Sequence, residues 1–294
     1  MPPSRRRALA EGLLVSLIWA SSFVIIKIGL GLLPPLTLAG LRYFSGFLLL
    51  LPVLFSDERP PRQEALDRDT WLRLVVMGLA AYLVGNGLLF SSLRVLPATT
   101  GSFLYSFTPI MVLLLGILVL REFPSGLQLL GIGIVMLGSY VFFAVRLSLQ
   151  EIQAVVAMLF STVSFAVSGV LARDFARDDR LNSYALTAWP LCFGGGALLL
   201  VAWFVEGHPA LTLPAIGVIA WLAVVNTALA YTLWNHALRT LKAFELNVLA
   251  NITPLGTACM AWLMLHEPLT LRQAFGILIV LAGVSLVQWA ARLN

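Results

Sequence analysis

Tyr82, Asn86 and Phe90 stand four residues apart, and so do Thr227, Tyr231 and Asn235. On a helix that spacing lays each trio along one stripe, with an aromatic ring beside an amide. Ser102, Ser106 and Pro109 share a third face, and Asn247, Asn251 and Pro254 a fourth. Such groups stack on rings and exchange neutral hydrogen bonds, which suits reversible binding of a small amphipathic molecule. Trp19, Tyr82, Tyr231 and Trp234 would take its apolar part and Asn86, Asn235 and Asn251 its polar end, with Ser22, Ser106, Ser164 and Ser168 beside them. These residues also have a plainer use, because a serine or asparagine in apolar surroundings bonds a neighbouring helix for about 0.6 kcal/mol. A lone serine favours that use, whereas paired amides and rings at mid-span favour binding.

Catalysis is not in the pattern. A hydrolase or transferase needs a nucleophile beside a base, or a metal held by clustered histidines and carboxylates. His208, His236 and His266 are dispersed, and no aspartate lies inside an apolar stretch. We therefore expect no enzyme, catalytic residue, metal or cofactor.

The elements that must position these side chains are apolar helices. The chain is 60% hydrophobic and 11% charged, against about 25% charged in soluble domains. Apolar stretches recur at 8–29, 36–55, 71–91, 99–120, 126–145, 152–172, 184–205, 215–236, 244–265 and 271–290. Each can cross a hydrocarbon core of about 30 Å as a helix. The expected fold is an all-α integral membrane protein with ten transmembrane helices. The basic start, "MPPSRRRALA", imitates a signal peptide, but the apolar run continues to Ile28 without a small-residue cleavage site. Cys192 and Cys259 fall inside spans and read as packing residues rather than a disulfide.

With a cytoplasmic amino terminus, fourteen lysines and arginines face the cytoplasm and four, Lys27, Arg94, Arg146 and Arg272, face outward. That asymmetry places both termini in the cytoplasm. It also accounts for the net charge of +5 through contact with anionic lipid, so no nucleic-acid partner is implied.

The sequence repeats itself. A shift of 145 residues lays Leu93-Arg94 on Leu238-Arg239, Thr108-Pro109 on Thr253-Pro254, Glu122 on Glu267, Gln128 on Gln273, Gly131 on Gly276 and Gly138 on Gly283. A shift of 146 lays "WASSFVIIK" (19–27) on "FAVSGVLAR" (165–173), pairing Ser22 with Ser168. Residues 1–145 and 146–294 thus form two five-span halves. Five is odd, so the second half enters the membrane inverted, the arrangement of carriers that open to each side in turn.

Ten spans in two halves, "WASSFVIIK" in the first, Arg42 in the second, and a doubled "TP" followed by glutamate and spaced glycines resemble the EamA branch of the drug/metabolite transporter superfamily. Within it the likeness is to the YddG type of inner-membrane exporter. The resemblance implies export of aromatic amino acids and related metabolites from a bacterial inner (cytoplasmic) membrane, with a small-molecule substrate and the lipid bilayer as partners. A nucleoside or drug exporter, a channel or a lipid flippase of the same fold are the alternatives. Phe165 stands where the first half has Trp19, so no role carries over there.

Pro109 and Pro254 each remove a backbone hydrogen bond at matching places. They read as paired breaks or hinges around a cavity, or as static kinks that aid packing. Arg42, about 12 Å inside its span, either attracts a cargo carboxylate or snorkels to the headgroups. Lys27, Arg94, Glu122 and Glu267 lie at span ends and suit anchoring or helix-end roles. Glu245 either gates the inner mouth or pairs with Lys242. The fifth and tenth spans carry glycines but few polar groups and read as packing or as a homodimer contact. With no acid at mid-depth, transport is expected to run downhill without a coupling proton; Glu11, His236 and Glu245 would be the groups to examine otherwise.

Inversion makes Glu122 emerge in the cytoplasm and Glu267 outside. Single cysteines at these two positions, in a background lacking Cys192 and Cys259, will label from opposite sides with a membrane-impermeant thiol reagent. Labelling of both from one side would remove the inverted repeat.

Overall fold

The computed structural model describes residues 4–56, 67–115, 125–143, 147–178, 183–238, 240–241 and 249–290. Glu122, Glu245 and Asn247 lie outside the described residues, as does the side chain of Asn235. Regular structure among them is helical throughout: α1 (Arg5–Leu30), α2 (Pro35–Ser56), α3 (Arg68–Val95), α4 (Ala98–Tyr105), α5 (Thr108–Leu115), α6 (Gly126–Phe142), α7 (Leu149–Asp178), α8 (residues 183–205), α9 (residues 213–238), α10 (Thr253–Leu265) and α11 (Leu271–Ala290). Seven of the described helices are long and apolar enough to cross a membrane, and α6 and α10 are shorter apolar helices. The fourth expected span is divided between α4 and α5.

Helix starts reflect local chemistry. Ser125 and Gln128 cap each other's backbone at α6, and Thr270 and Gln273 do the same at α11. The matched glutamines of the repeat are therefore helix-start residues. Two longer-range caps are carboxylates. Glu206 accepts from the Leu36 and Thr37 amides at 3.0 and 2.7 Å and from the Thr37 hydroxyl at 2.8 Å. Glu267 accepts from the Ala98 and Thr99 amides at 2.8 and 3.2 Å and from the Thr99 hydroxyl at 3.2 Å. Each anion meets the positive end of a helix. His266 takes a left-handed conformation (φ 54°) that ends α10 and turns the chain so that Glu267 comes immediately after it. At the opposite polarity, Lys27 Nζ donates to the Leu93 carbonyl at 2.9 Å, near the end of α3. Glu267 and Lys27 thus have the helix-end role expected of them.

The chain divides into two packing units. Unit 1 holds residues 1–24, 95–159 and 230–294; unit 2 holds residues 25–94 and 160–229. Each draws on both sequence halves, so the unit of repetition is not the unit of packing.

Unit 1 contains a closely packed helix pair, α6 and α11. A Cβ added to Gly131 would lie 2.9 Å from the Gly283 carbonyl, and one added to Gly138 would lie 3.0 Å from the Gly276 carbonyl. As one index rises the other falls, so α6 and α11 run antiparallel. Gly131 and Gly276 are repeat mates, as are Gly138 and Gly283, so each glycine touches the mate of the other glycine on its own helix. That crossing is what a two-fold relation between inverted repeats requires. Of the glycines on these two helices, Gly131, Gly138, Gly276 and Gly283 are taken up by this contact, whereas Gly133 faces open space.

Unit 2 is similarly tight. A Cβ on Gly40 would lie 2.8 Å from the Leu199 Cα, and one on Gly195 would lie 3.0 Å from the Phe44 amide, so α2 and α8 are also antiparallel. Among the described residues, three π-helical segments interrupt the long helices, at Leu79–Asn86 in α3, Leu191–Gly195 in α8 and Val224–Leu229 in α9. The first and third start 145 residues apart, the offset of the repeat.

Two stability measurements test this packing. Gly138→Ala and Gly283→Ala will lower the thermal midpoint of the purified protein by about 3–10 °C through forced separation of α6 and α11. Gly133→Ala, with open space around the new methyl, will not. Glu206→Gln and Glu267→Gln will each cost about 1 kcal/mol, a drop of about 2–4 °C, whereas Glu151→Gln at the exposed start of α7 will shift the midpoint less.

Candidate functional site

In unit 1 the structure brings Trp19, Tyr231 and Trp234 together. The Trp19 ring lies 6.1 Å from Tyr231, edge to face, and 4.9 Å from Trp234. All three are half-buried, so each keeps part of its ring surface open. Aromatic pairs at these spacings are worth about 0.5–1.5 kcal/mol beyond their buried area. A second pair, Phe23 and Tyr105, meets edge to face at 5.9 Å.

The helix interruptions of unit 1 come in matching places. Residues 106–107 separate α4 from α5, and residues 251–252 precede α10. Pro109 and Pro254 are the second residues of the helices that restart there. The expected break within the helix is therefore refined: proline begins the new helix, where its missing N–H has no partner to lose. The residues at the break differ between the two copies. Ser106 is buried and its hydroxyl donates to the Phe103 carbonyl at 2.6 Å. Asn251 is buried and its Nδ2 donates to Ser285 Oγ at 3.3 Å and to Gln288 Oε1 at 3.2 Å, both on α11. Those two partners were missed in the sequence because single polar residues in an apolar span carry no periodic signal. α10 is held to α1 by Thr253 and Thr257, whose hydroxyls donate to the Ser16 and Ala20 carbonyls at 3.4 and 3.1 Å. Ser22 is buried on α1.

Unit 2 gathers Arg42, Tyr82 and Asn86 around Tyr43, which sequence reasoning passed over. The Tyr43 hydroxyl donates to Asn86 Oδ1 at 2.6 Å, and the Asn86 amide donates to the Ala81 carbonyl at 2.9 Å. The Tyr43 and Tyr82 rings lie 4.9 Å apart. Asn86 thus closes the π segment of α3, reaching five residues back to a carbonyl displaced from the α ladder. The stripe of Tyr82, Asn86 and Phe90 crosses that segment and still presents one face, since all three residues meet Tyr43. Thr227 repeats the device in α9, donating to the Leu222 carbonyl at 3.0 Å, and Gly46 gives its methyl room against α2. Ser161 donates to the Gly85 carbonyl at 2.7 Å, and Ser168 is buried on α7.

Arg42 is 5% exposed. Its Nε donates to Thr227 Oγ1 at 3.3 Å and its Nη2 to the Asn226 carbonyl at 3.5 Å, while the guanidinium lies 4.8 Å from the Tyr43 ring centre and 6.0 Å from that of Phe90. These contacts keep the charge among protein groups, with rings supplying cation–π attraction. Arg42 is thus buried among protein groups in unit 2.

A third polar group joins the amino-terminal part of α1 to the carboxy-terminal part of α9 in unit 1. Both Glu11 carboxylate oxygens lie against His236 Nδ1, at 3.0 and 2.8 Å, and Arg7 Nε donates to Glu11 Oε1 at 2.9 Å. Among the described residues no cluster of three or more histidine, cysteine, aspartate or glutamate side chains could hold a metal ion.

The model of the EamA-like transporter family matches this chain twice, over residues 7–144 and 152–289. A "Probable amino-acid metabolite efflux pump" of Salmonella typhimurium is 28% identical over 285 residues, covering 92% of this chain and 91% of that one. An "Uncharacterized transporter YoaV" of Bacillus subtilis is 22% identical and covers 92% of each chain. An "S-adenosylmethionine/S-adenosylhomocysteine transporter" of Chlamydia trachomatis is 24% identical, covering 92% of this chain and 85% of that one. A solved crystal structure shares the fold with a TM-score of 0.69 at 15% identity, covering 99% of this chain and 100% of its own. With two family matches spanning nearly its whole length and apolar helices long enough to span a bilayer, the chain belongs to the EamA-like transporter family of the drug/metabolite transporter superfamily and is a multi-pass membrane protein.

Proposed function

We propose that this transporter exports small amphipathic metabolites, chiefly amino acids with aromatic or bulky apolar side chains, from the cytoplasm by alternating access in a bacterial inner membrane. Both termini lie in the cytoplasm on this reading, in keeping with the excess of lysine and arginine on that side. The observation that carries the substrate class is the half-buried cluster of Trp19, Tyr231 and Trp234, which offers ring surface for stacking. Asn251, Asn235, Ser106 and Ser22 are assigned to polar groups of the cargo. In unit 2, Tyr82 and Asn86 are assigned to holding Tyr43, whose ring lies against Arg42. The residues before Pro109 and Pro254 serve as paired hinges. Relatives named for amino-acid metabolites and for S-adenosylmethionine support a cargo with both a ring or apolar part and an amino-acid part.

The test is flux through liposomes containing the purified protein, with labelled aromatic, aliphatic and acidic amino acids, nucleosides and S-adenosylmethionine compared in parallel. Aromatic amino acids will move fastest. Trp19→Ala and Tyr231→Ala will slow them by about tenfold, the equivalent of about 1.4 kcal/mol, while leaving the protein inserted and monodisperse. Ile134→Ala and Ile279→Ala, on α6 and α11, will stay within twofold. Equal losses at all four positions, or movement of nucleosides alone, would overturn the assignment.

A further inference from the structure

We infer that Asn251 and Gln288 form a paired-amide reader for the zwitterionic head of the cargo, whose α-ammonium donates to Asn251 Oδ1 and whose α-carboxylate accepts from Gln288 Nε2. The inference deepens the reading above and rests on it. Its geometry is local to unit 1. Asn251 is 9% exposed, and its Nδ2 donates to Ser285 Oγ at 3.3 Å and to Gln288 Oε1 at 3.2 Å. Asn251 Oδ1 and Gln288 Nε2 are left over, and neither bonds a described residue. Both atoms reach open space rather than being sealed in the interior. An amide–amide bond uses one donor and one acceptor, so the pair keeps one of each, and does so equally if both amides are turned over. A free acceptor beside a free donor suits a ligand that carries a donor and an acceptor on neighbouring atoms. The head of an amino acid does this with an ammonium and a carboxylate on one carbon. Its charges cancel, so neutral amides can answer it without a fixed counter-charge.

The repeat argues that these amides are not scaffold. At the offset of 145, Asn251 falls on Ser106, Ser285 on Tyr140 and Gln288 on Phe143. The first half therefore has no amide at any of the three places. There the Ser106 hydroxyl closes on the Phe103 carbonyl, and the Phe143 ring packs 5.8 Å from that of Phe103. The frame is satisfied without the amides, whereas a polar side chain held open within an apolar span is costly and marks a use. Placement suits a cargo with a ring at its other end. Thr253, two residues after Asn251, donates to the Ser16 carbonyl, and Ser16 comes about one helical turn before Trp19 on α1. The start of α10 thus meets α11 through the amide pair and, through Thr253, the helix that carries Trp19. Head and ring of one amphipathic molecule are both answered within unit 1.

The test uses the full-length protein in lipid nanodiscs and measures displacement of labelled phenylalanine by two analogues. Phenethylamine lacks the carboxylate and 3-phenylpropionate lacks the ammonium. In the parent each analogue will bind at least about tenfold more weakly than phenylalanine, because a charge-assisted hydrogen bond is lost and an amide is left unanswered. Gln288→Met, close in shape, will weaken phenylalanine about tenfold and leave phenethylamine within twofold, so that discrimination against this one analogue disappears. Gln288→Glu will reverse the preference, because a carboxylate at that place attracts the ammonium and repels the cargo's own carboxylate. Ile279→Ala on the same helix will leave every ratio unchanged. Each readout is a ratio of affinities, which partial loss of folded protein does not move. Equal binding of the three ligands by the parent, unchanged ratios in both Gln288 variants, or loss of discrimination against both analogues alike would overturn the inference and leave the transport reading standing. Failure of every amino acid in the panel to bind or move would overturn both.

Discussion

Inside a bilayer no water is available to satisfy a backbone N–H or C=O, so every departure from the α-helical ladder must be answered by the protein. This chain departs often, and the answers are specific. Asn86 and Thr227 each reach five residues back to a carbonyl freed by a π segment. Ser106 closes on Phe103 where the fourth span is interrupted. Glu206 and Glu267 collect the first amides of α2 and α4. The polar residues that a membrane span can least accommodate are thus concentrated where its backbone is least regular.

That constraint explains how much of the molecule is legible in its sequence. Helical class, span positions and the doubled arrangement come from hydropathy and from residues recurring at one offset, because a bilayer permits few solutions. The grouping of Trp19, Tyr231 and Trp234 is foreshadowed by aromatic residues at helical spacing near the polar stripes. The stripe of Tyr82, Asn86 and Phe90 also holds, all three meeting Tyr43, but the π segment it crosses is not legible. A π segment inserts about one residue per turn and rotates the helix beyond it, and its sequence, "LAAYLVGN", has no signature beyond small residues. Tyr43 is inconspicuous beside Arg42, since a tyrosine in an apolar span looks like packing until its hydroxyl is seen to reach Asn86. Ser285 and Gln288 are hidden in a span that reads as nearly apolar.

The two halves of the sequence share chemistry unequally. Helix-start boxes at Ser125–Gln128 and Thr270–Gln273 are close copies, and the π segments of α3 and α9 begin at matching positions. Residues around the interruptions have diverged, with Ser106 matched by Asn251 and Trp19 by Phe165. Scaffold-forming positions have kept their chemistry, while ring and amide positions differ between copies. A site assembled from such copies need not be symmetric even though its frame is, so a ring or an amide contributed by one half need not be duplicated by the other.

The crossed glycines of α6 and α11 carry a consequence for how such a chain could arise. Gly131 meets Gly283 and Gly138 meets Gly276, so each helix makes the same demand of the other at both places. One ancestral helix, inserted in both orientations, could satisfy that contact with a second copy of itself. Joining two such halves in a single chain then fixes their opposite orientation covalently, and frees every position away from the axis to change in one half without the other.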